Sequence, residues 1–127
     1  GDAPTIMGDG SEAFDFIAVE DCAKANVCGM KSDVTDEFYN VGTGKRTTLK
    51  ELAEKLLKLT ASNKEIKYVE RSQATLVKNR IGSPVKATAE IGFTADIDLD
   101  DGLKRLIDWR AAHKSEVDAR RKAVGLT

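Results

Sequence analysis

The chain has 127 residues, of which 41% are hydrophobic and 32% charged, and its formal net charge is -1. This composition is that of one globular domain, and it excludes a disordered tail and disfavours binding to nucleic acid. No run of 18 apolar residues occurs and the first residues lack the pattern of a signal peptide, so the sequence predicts a cytoplasmic protein without a membrane segment.

The first third of the chain predicts a turn, a strand and a helix. Residues 8–11 (GDGS) fit a hairpin that leads into a strand over residues 13–19. A helix should follow, with Glu20 and Asp21 at its positive end and a stop at residues 31–33. Cys22 and Cys28 lie too far apart on such a helix for a disulfide, which predicts free thiols. The helix carries an apolar stripe made of Val19, Cys22, Ala23, Val27 and Met30.

The middle of the chain predicts a strand, a helix and a second strand. Residues 37–41 (EFYNV) have the composition of a short strand, and residues 65–69 (EIKYV) alternate like an exposed or edge strand. Between them, leucines at helical spacing predict a helix over residues 49–60. Thr48 is its expected N-cap, and Glu51, three residues later, completes a capping box.

The last third predicts three helical segments. Pro84 suits the first position of a short helix over residues 85–90, which Gly92 ends. Another helix begins near Leu99, with Asp98 at its start and with Leu103, Leu106 and Ile107 facing inward. Residues 111–122 remain helix-permissive but are rich in charge. These elements together predict a small α/β domain, mostly helical, with a few short strands.

Few residues carry an interpretable chemical signal. Gly42-Thr43-Gly44 follows a predicted strand as a dinucleotide-binding turn would, but position 47, where the third glycine belongs, is Thr. A tight turn is therefore the favoured interpretation. His113 has no evident catalytic partner and is interpreted as a surface residue, and no acidic run has the spacing of a metal site.

One segment, residues 71–86, has four basic side chains and no acidic one in a net-acidic chain. Arg71 and Arg80 could bind a pyrophosphate through paired N–H groups, with the helix at Pro84 adding its positive end. A solvated basic loop is the alternative that charge alone favours.

An ordered set of short segments resembles the extended short-chain dehydrogenase/reductases, the NAD-dependent nucleotide-sugar epimerases and dehydratases. The resemblance covers residues 4–110 and implies the C-terminal substrate domain of such an enzyme. The segments are residues 6–11 (IMGDGS), 14–21 (FDFIAVED), 38–44 (FYNVGTG) and 47–53 (TTLKELA), followed by Lys86-Ala87, Ile91-Gly92-Phe93, Gly102-Leu103 and Trp109.

The resemblance implies a division of labour within a longer protein. In that family an N-terminal Rossmann domain binds NAD or NADP and supplies a catalytic Tyr-x-x-x-Lys pair. Neither Tyr39 nor Tyr68 is followed by Lys four residues later, so no catalytic residue, metal or cofactor is assigned to this chain, and whether it is an enzyme by itself stays open. Residues 1–110 are interpreted as the nucleotide-sugar-binding domain and residues 111–127 as a charged helical extension.

The resemblance also implies site residues. Thr5, Ile6 and Met7 occupy the stretch that lines the nucleotide base, and Arg71 and Arg80 are the candidate pyrophosphate ligands. Phe14 stands where the family often has a phosphate-binding Arg.

Two hypotheses of function follow. The chain is either the portion of an NAD-dependent epimerase or dehydratase that orients a nucleotide-sugar, most simply a UDP-sugar, or a stand-alone binding or oligomerisation module derived from such an enzyme. In the second case residues 111–127 would mediate contact with another copy.

Overall fold

The computed structural model describes residues 2–71 and 77–125. The described residues form five short strands and five helices, which confirms the predicted small, mostly helical α/β domain. The strands are β1 (Thr5–Met7), β2 (Ala13–Phe14), β3 (Thr47–Thr48), β4 (Lys67–Val69) and β5 (Asn79–Arg80). The helices are α1 (Val19–Lys31), α2 (Leu49–Leu59), α3 (Val85–Ile91), α4 (Leu99–Ala112) and α5 (Lys114–Ala123).

The strands form two small sheets. β1 and β4 pair in parallel, with Ile6 opposite Tyr68. In the other sheet, β2 lies between β3, to which it is antiparallel, and β5, to which it is parallel. The predicted hairpin at residues 8–11 is therefore wrong, because β1 and β2 belong to different sheets. Gly8 and Gly10, with φ of 96° and 78°, turn the chain from one sheet to the other.

Two of the predicted strands are shorter in the structure, and a third predicted strand does not form. Of the strand expected over residues 13–19, only Ala13–Phe14 forms, and helix α1 begins at Val19. Residues 37–41 form no strand, since none of the described residues offers a neighbouring strand for their backbone hydrogen bonds. The strand expected over residues 65–69 forms at Lys67–Val69.

The helix predictions hold because their signals are local. Thr48 caps α2 and both halves of its capping box with Glu51 are present. The helix at Pro84 also forms, although Pro84 is its N-cap rather than its first residue, and Gly92 ends it in the left-handed conformation. Asp98 caps α4 by accepting the Asp101 N–H at 2.9 Å.

The hydrophobic core is small, and it joins α1 to α3. Ala25 of α1 packs with Ala87 of α3 and with Phe93, whose side chain is fully buried. The apolar stripe expected for α1 is not the buried face, since Val19 is 77% and Met30 85% exposed. Leu106, expected to face inward, is likewise exposed. None of the helices within the described ranges is long and apolar enough to cross a membrane.

Candidate functional site

Arg71 lies two residues after the end of β4, and its guanidinium reaches the end of β1. The Met7 carbonyl oxygen accepts a hydrogen bond from Arg71 Nη2 at 2.9 Å, and the same nitrogen lies 2.5 Å from Glu12 Oε1. The side chains of Arg71 and Glu12 are only 20% and 13% exposed. The fold thus joins two of the residues predicted for the site, Met7 and Arg71, through one guanidinium.

Arg80 belongs to the other sheet, next to the strand that follows Glu12. In the register of β2 with β5, Arg80 is the partner of Phe14. Partners in neighbouring strands project from the same face of a sheet, as do residues two apart along a strand. The ladder is completed by Ala13 N, which donates to Lys78 O at 2.8 Å, and by Asp15 N, which donates to Arg80 O at 3.0 Å. Phe14 and Arg80 therefore share one face of this sheet, and Glu12, two residues before Phe14, forms the ion pair with Arg71.

Two cations at β5 and just before it have no acidic ion-pair partner among the described residues. Within residues 2–71 and 77–125, Lys78 and Arg80 form no ion pair, and both are exposed. The nearby Asp9 is held ionised, because hydrogen bonds from Ser11 and then the charge of Lys78 lower its pKa. Exposed cations without an ion-pair partner can bind an anion through charge-assisted hydrogen bonds. Residues 72–76 of the predicted basic segment lie outside the described residues.

The stretch predicted to line a nucleotide base divides into two kinds of residue. Thr5 and Met7 are exposed, with Met7 at 60%, whereas the Ile6 side chain is 6% exposed and packs inward. The alternation of a strand produces this pattern, since neighbouring side chains point to opposite faces. Thr5 and Met7 therefore present their side chains to solvent, and Ile6 packs into the interior.

Comparison with known proteins shows the relationships of the chain, although no family model matches it. A protein of Methanocaldococcus jannaschii named Putative UDP-glucose 4-epimerase is 34% identical over 107 residues, which are 84% of this chain and 34% of that protein. The crystal structure of a UDP-glucose 4-epimerase from Thermotoga maritima with UDP-glucose has a TM-score of 0.76 at 31% identity, covering 81% of this chain and 33% of that one. The enzyme WbmF of Bordetella bronchiseptica, in complex with NAD+ and UDP, has a TM-score of 0.77 at 33% identity, covering 94% and 35%.

The chain belongs to the NAD-dependent nucleotide-sugar epimerases and dehydratases, the extended short-chain dehydrogenase/reductases. Its fold matches the C-terminal part of epimerase structures. The chain spans about a third of the length of the curated relatives that it matches.

The glycine turn at residues 42–44 can be compared with a cofactor-binding loop. The Asp15 carboxylate fills that turn: it accepts the N–H of Thr43 at 3.0 Å and the N–H of Gly44 at 2.8 Å. A Cβ at Gly42 would lie 2.5 Å from Asp15 Oδ2, which explains the glycine. Because an internal carboxylate already uses these N–H groups, the turn does not fit the pyrophosphate of NAD.

Glu12 is a residue of the candidate site that the sequence analysis did not identify. Its importance depends on a contact with Arg71, which is distant in sequence and joins the two sheets. Spacing along the chain gives no sign of such a contact. The feature of the sequence that could have indicated the contact was the negative charge of Glu12, which can pair with the predicted basic segment at residues 71–86.

Proposed function

We propose that this chain is the nucleotide-sugar-binding portion of an NAD-dependent epimerase or dehydratase and that its ligand is a UDP-sugar. The observation that carries the proposal is the position of Arg71, fixed between Met7 and Glu12 at the end of β1. Support comes from the relatives, since the T. maritima structure contains UDP-glucose and the B. bronchiseptica structure contains UDP.

Each part of the proposed site has a separate role. Arg71 and Arg80 bind the diphosphate through charge-assisted hydrogen bonds. Thr5 and Met7, on the exposed side of β1, contact the nucleotide base. Fixing the nucleotide in this way orients the sugar, and positioning alone lowers a reaction barrier by several kcal/mol, to order of magnitude. In this proposal hydride chemistry belongs to an N-terminal Rossmann domain, as the family resemblance implies, and the turn at residues 42–44 is not the NAD site because Asp15 occupies its N–H groups.

Titration of the chain with UDP, followed by amide NMR, tests the proposal. We expect shifts that cluster at residues 5–7 and around Arg71 and Arg80. Arg71→Ala should weaken binding of UDP by about 10- to 100-fold, which is the usual contribution of a charged hydrogen bond. Arg121→Ala removes the same charge from the exposed surface of α5 and serves as the matched control. Absence of any shift at about 10 mM UDP, where even a ligand bound by about 2.7 kcal/mol is half saturated, would overturn the proposal.

A further inference from the structure

Glu12 combines two features that a surface ion pair does not have. Its side chain is 13% exposed, and its second carboxylate oxygen, Oε2, is buried with no hydrogen-bond partner in the part of the chain that the structure describes. We propose that Glu12 is a positioning residue, which holds the Arg71 guanidinium in place for a diphosphate. The inference rests on the proposed function, because it concerns the same site.

The backbone of Glu12 is fixed from both sides. Its carbonyl oxygen accepts the Leu49 N–H at 2.9 Å, at the first residue of α2, and the next N–H, that of Ala13, donates to Lys78 O. The backbone of Glu12 is thus held at the start of β2, the central strand of its sheet. An anchor of this kind keeps its position while a flexible partner moves.

Arg71 needs such an anchor, since it follows the last residue of β4 by two positions and has a long, flexible side chain. The guanidinium lies above Gly8, whose Cβ, if it had one, would be 3.5 Å from Arg71 Nη2 and 3.6 Å from Glu12 Oε1. Only Nη2 is engaged, by Met7 O and Glu12 Oε1, among the contacts of the described residues. The Nε and Nη1 atoms have no hydrogen-bond partner among the described residues, and in this proposal they donate to the ligand while the side chain is held.

Stability alone does not explain this carboxylate. A buried acceptor without a hydrogen bond is destabilising, and a buried ion pair is weak evidence for stability. A carboxylate that is only half satisfied is the arrangement expected where a functional group must be oriented.

Variants at position 12 test the inference through the affinity for UDP, measured by calorimetry. Glu12→Ala should weaken UDP binding by about 2- to 10-fold, since Arg71 must then be ordered on binding. Glu12→Gln, which retains the acceptor oxygen, should restore the affinity of the original chain. In the absence of ligand, the 15N heteronuclear NOE of Arg71 Nε should report a rigid side chain in the original chain and in Glu12→Gln, and a mobile side chain in Glu12→Ala. Glu54→Ala, which removes an exposed acid paired with Lys50 on α2, is the matched control.

The outcomes separate this inference from the proposed function. If Glu12→Ala binds UDP as tightly as the original chain, or more tightly, Glu12 does not position Arg71. If Arg71→Ala itself leaves the affinity for UDP unchanged, the proposed function fails instead. Should Glu12→Ala not fold, Glu12→Asp decides the question: it keeps the charge but withdraws the anchor by one methylene, and an unchanged UDP affinity in that variant overturns the inference.

Discussion

At the residue scale, two aspartates connect distant segments by accepting backbone N–H groups. Asp21, 3% exposed, accepts the N–H groups of Asp96 and Ile97 at 3.1 and 3.0 Å, and Asp15 fills the turn at residues 42–44. The sequence predicted Asp21 only as a negative charge at the start of α1. Its second role depends on residues 75 positions away, and local patterns contain no information about such a partner.

Tyr39 provides a pH prediction at the same scale. Burial, together with the hydrogen bond that its hydroxyl donates to Glu90 at 2.8 Å, raises the pKa of Tyr39 to about 12. A raised folded-state pKa stabilises the fold fully below the unfolded value of about 10, and this contribution is lost as pH rises toward 12. The chain has two tyrosines, so Tyr68→Phe leaves Tyr39 alone. We expect its absorbance titration to have a midpoint near 12 when folded and near 10 in urea. A folded midpoint near 10 would contradict the contact with Glu90.

At the element scale, α1 shows the limit of periodicity as evidence. Its apolar stripe was recognised correctly as a pattern, yet the structure buries Asp21 and Ala25 and leaves Val19 and Met30 exposed. Periodicity reports that a helix has an apolar face, but not what covers it. The same applies to residues 37–41: a strand composition is present, but no neighbouring strand exists among the described residues. Capping signals were reliable, since Thr48 and Glu51 are close in sequence.

Two substitutions in α1 test which face is buried. Met30→Ala removes a large side chain that is 85% exposed and should change the free energy of unfolding by less than about 0.5 kcal/mol. Ala25→Leu adds volume beside the fully buried Phe93 and should destabilise the chain by about 1–3 kcal/mol. Urea unfolding of both variants measures their free energies of unfolding, so that the two faces of one helix are compared. A larger effect for Met30→Ala than for Ala25→Leu would mean that the predicted stripe is the packed face after all.

At the scale of the whole molecule, the candidate site forms where the two sheets meet. Arg71 and Arg80 could be selected from the sequence because the segment is basic and because the family resemblance places ligands there. Their geometry could not, since the register of β2 with β5 and the contact of Arg71 with Met7 bring together residues more than sixty positions apart. The family, by contrast, was recognisable from the sequence, because the segments that carry the resemblance are short and follow one another in a fixed order.

Helix α5 decides between the two hypotheses of function at this scale. None of its residues is buried, and its Asp118 forms one exposed ion pair with Arg110 of α4 and another with Lys114 within α5, and such pairs contribute little to stability. We expect a chain that ends at His113 to keep its cooperative unfolding, its affinity for UDP and its number of subunits, measured as the light-scattering mass divided by the mass of one chain. Asp118→Asn, which removes both ion pairs but keeps the helix, is the control. If truncation lowers the number of subunits while UDP binding is absent from both chains, an oligomerisation module is the better description, because the contact with another copy would then be the property that residues 114–127 confer.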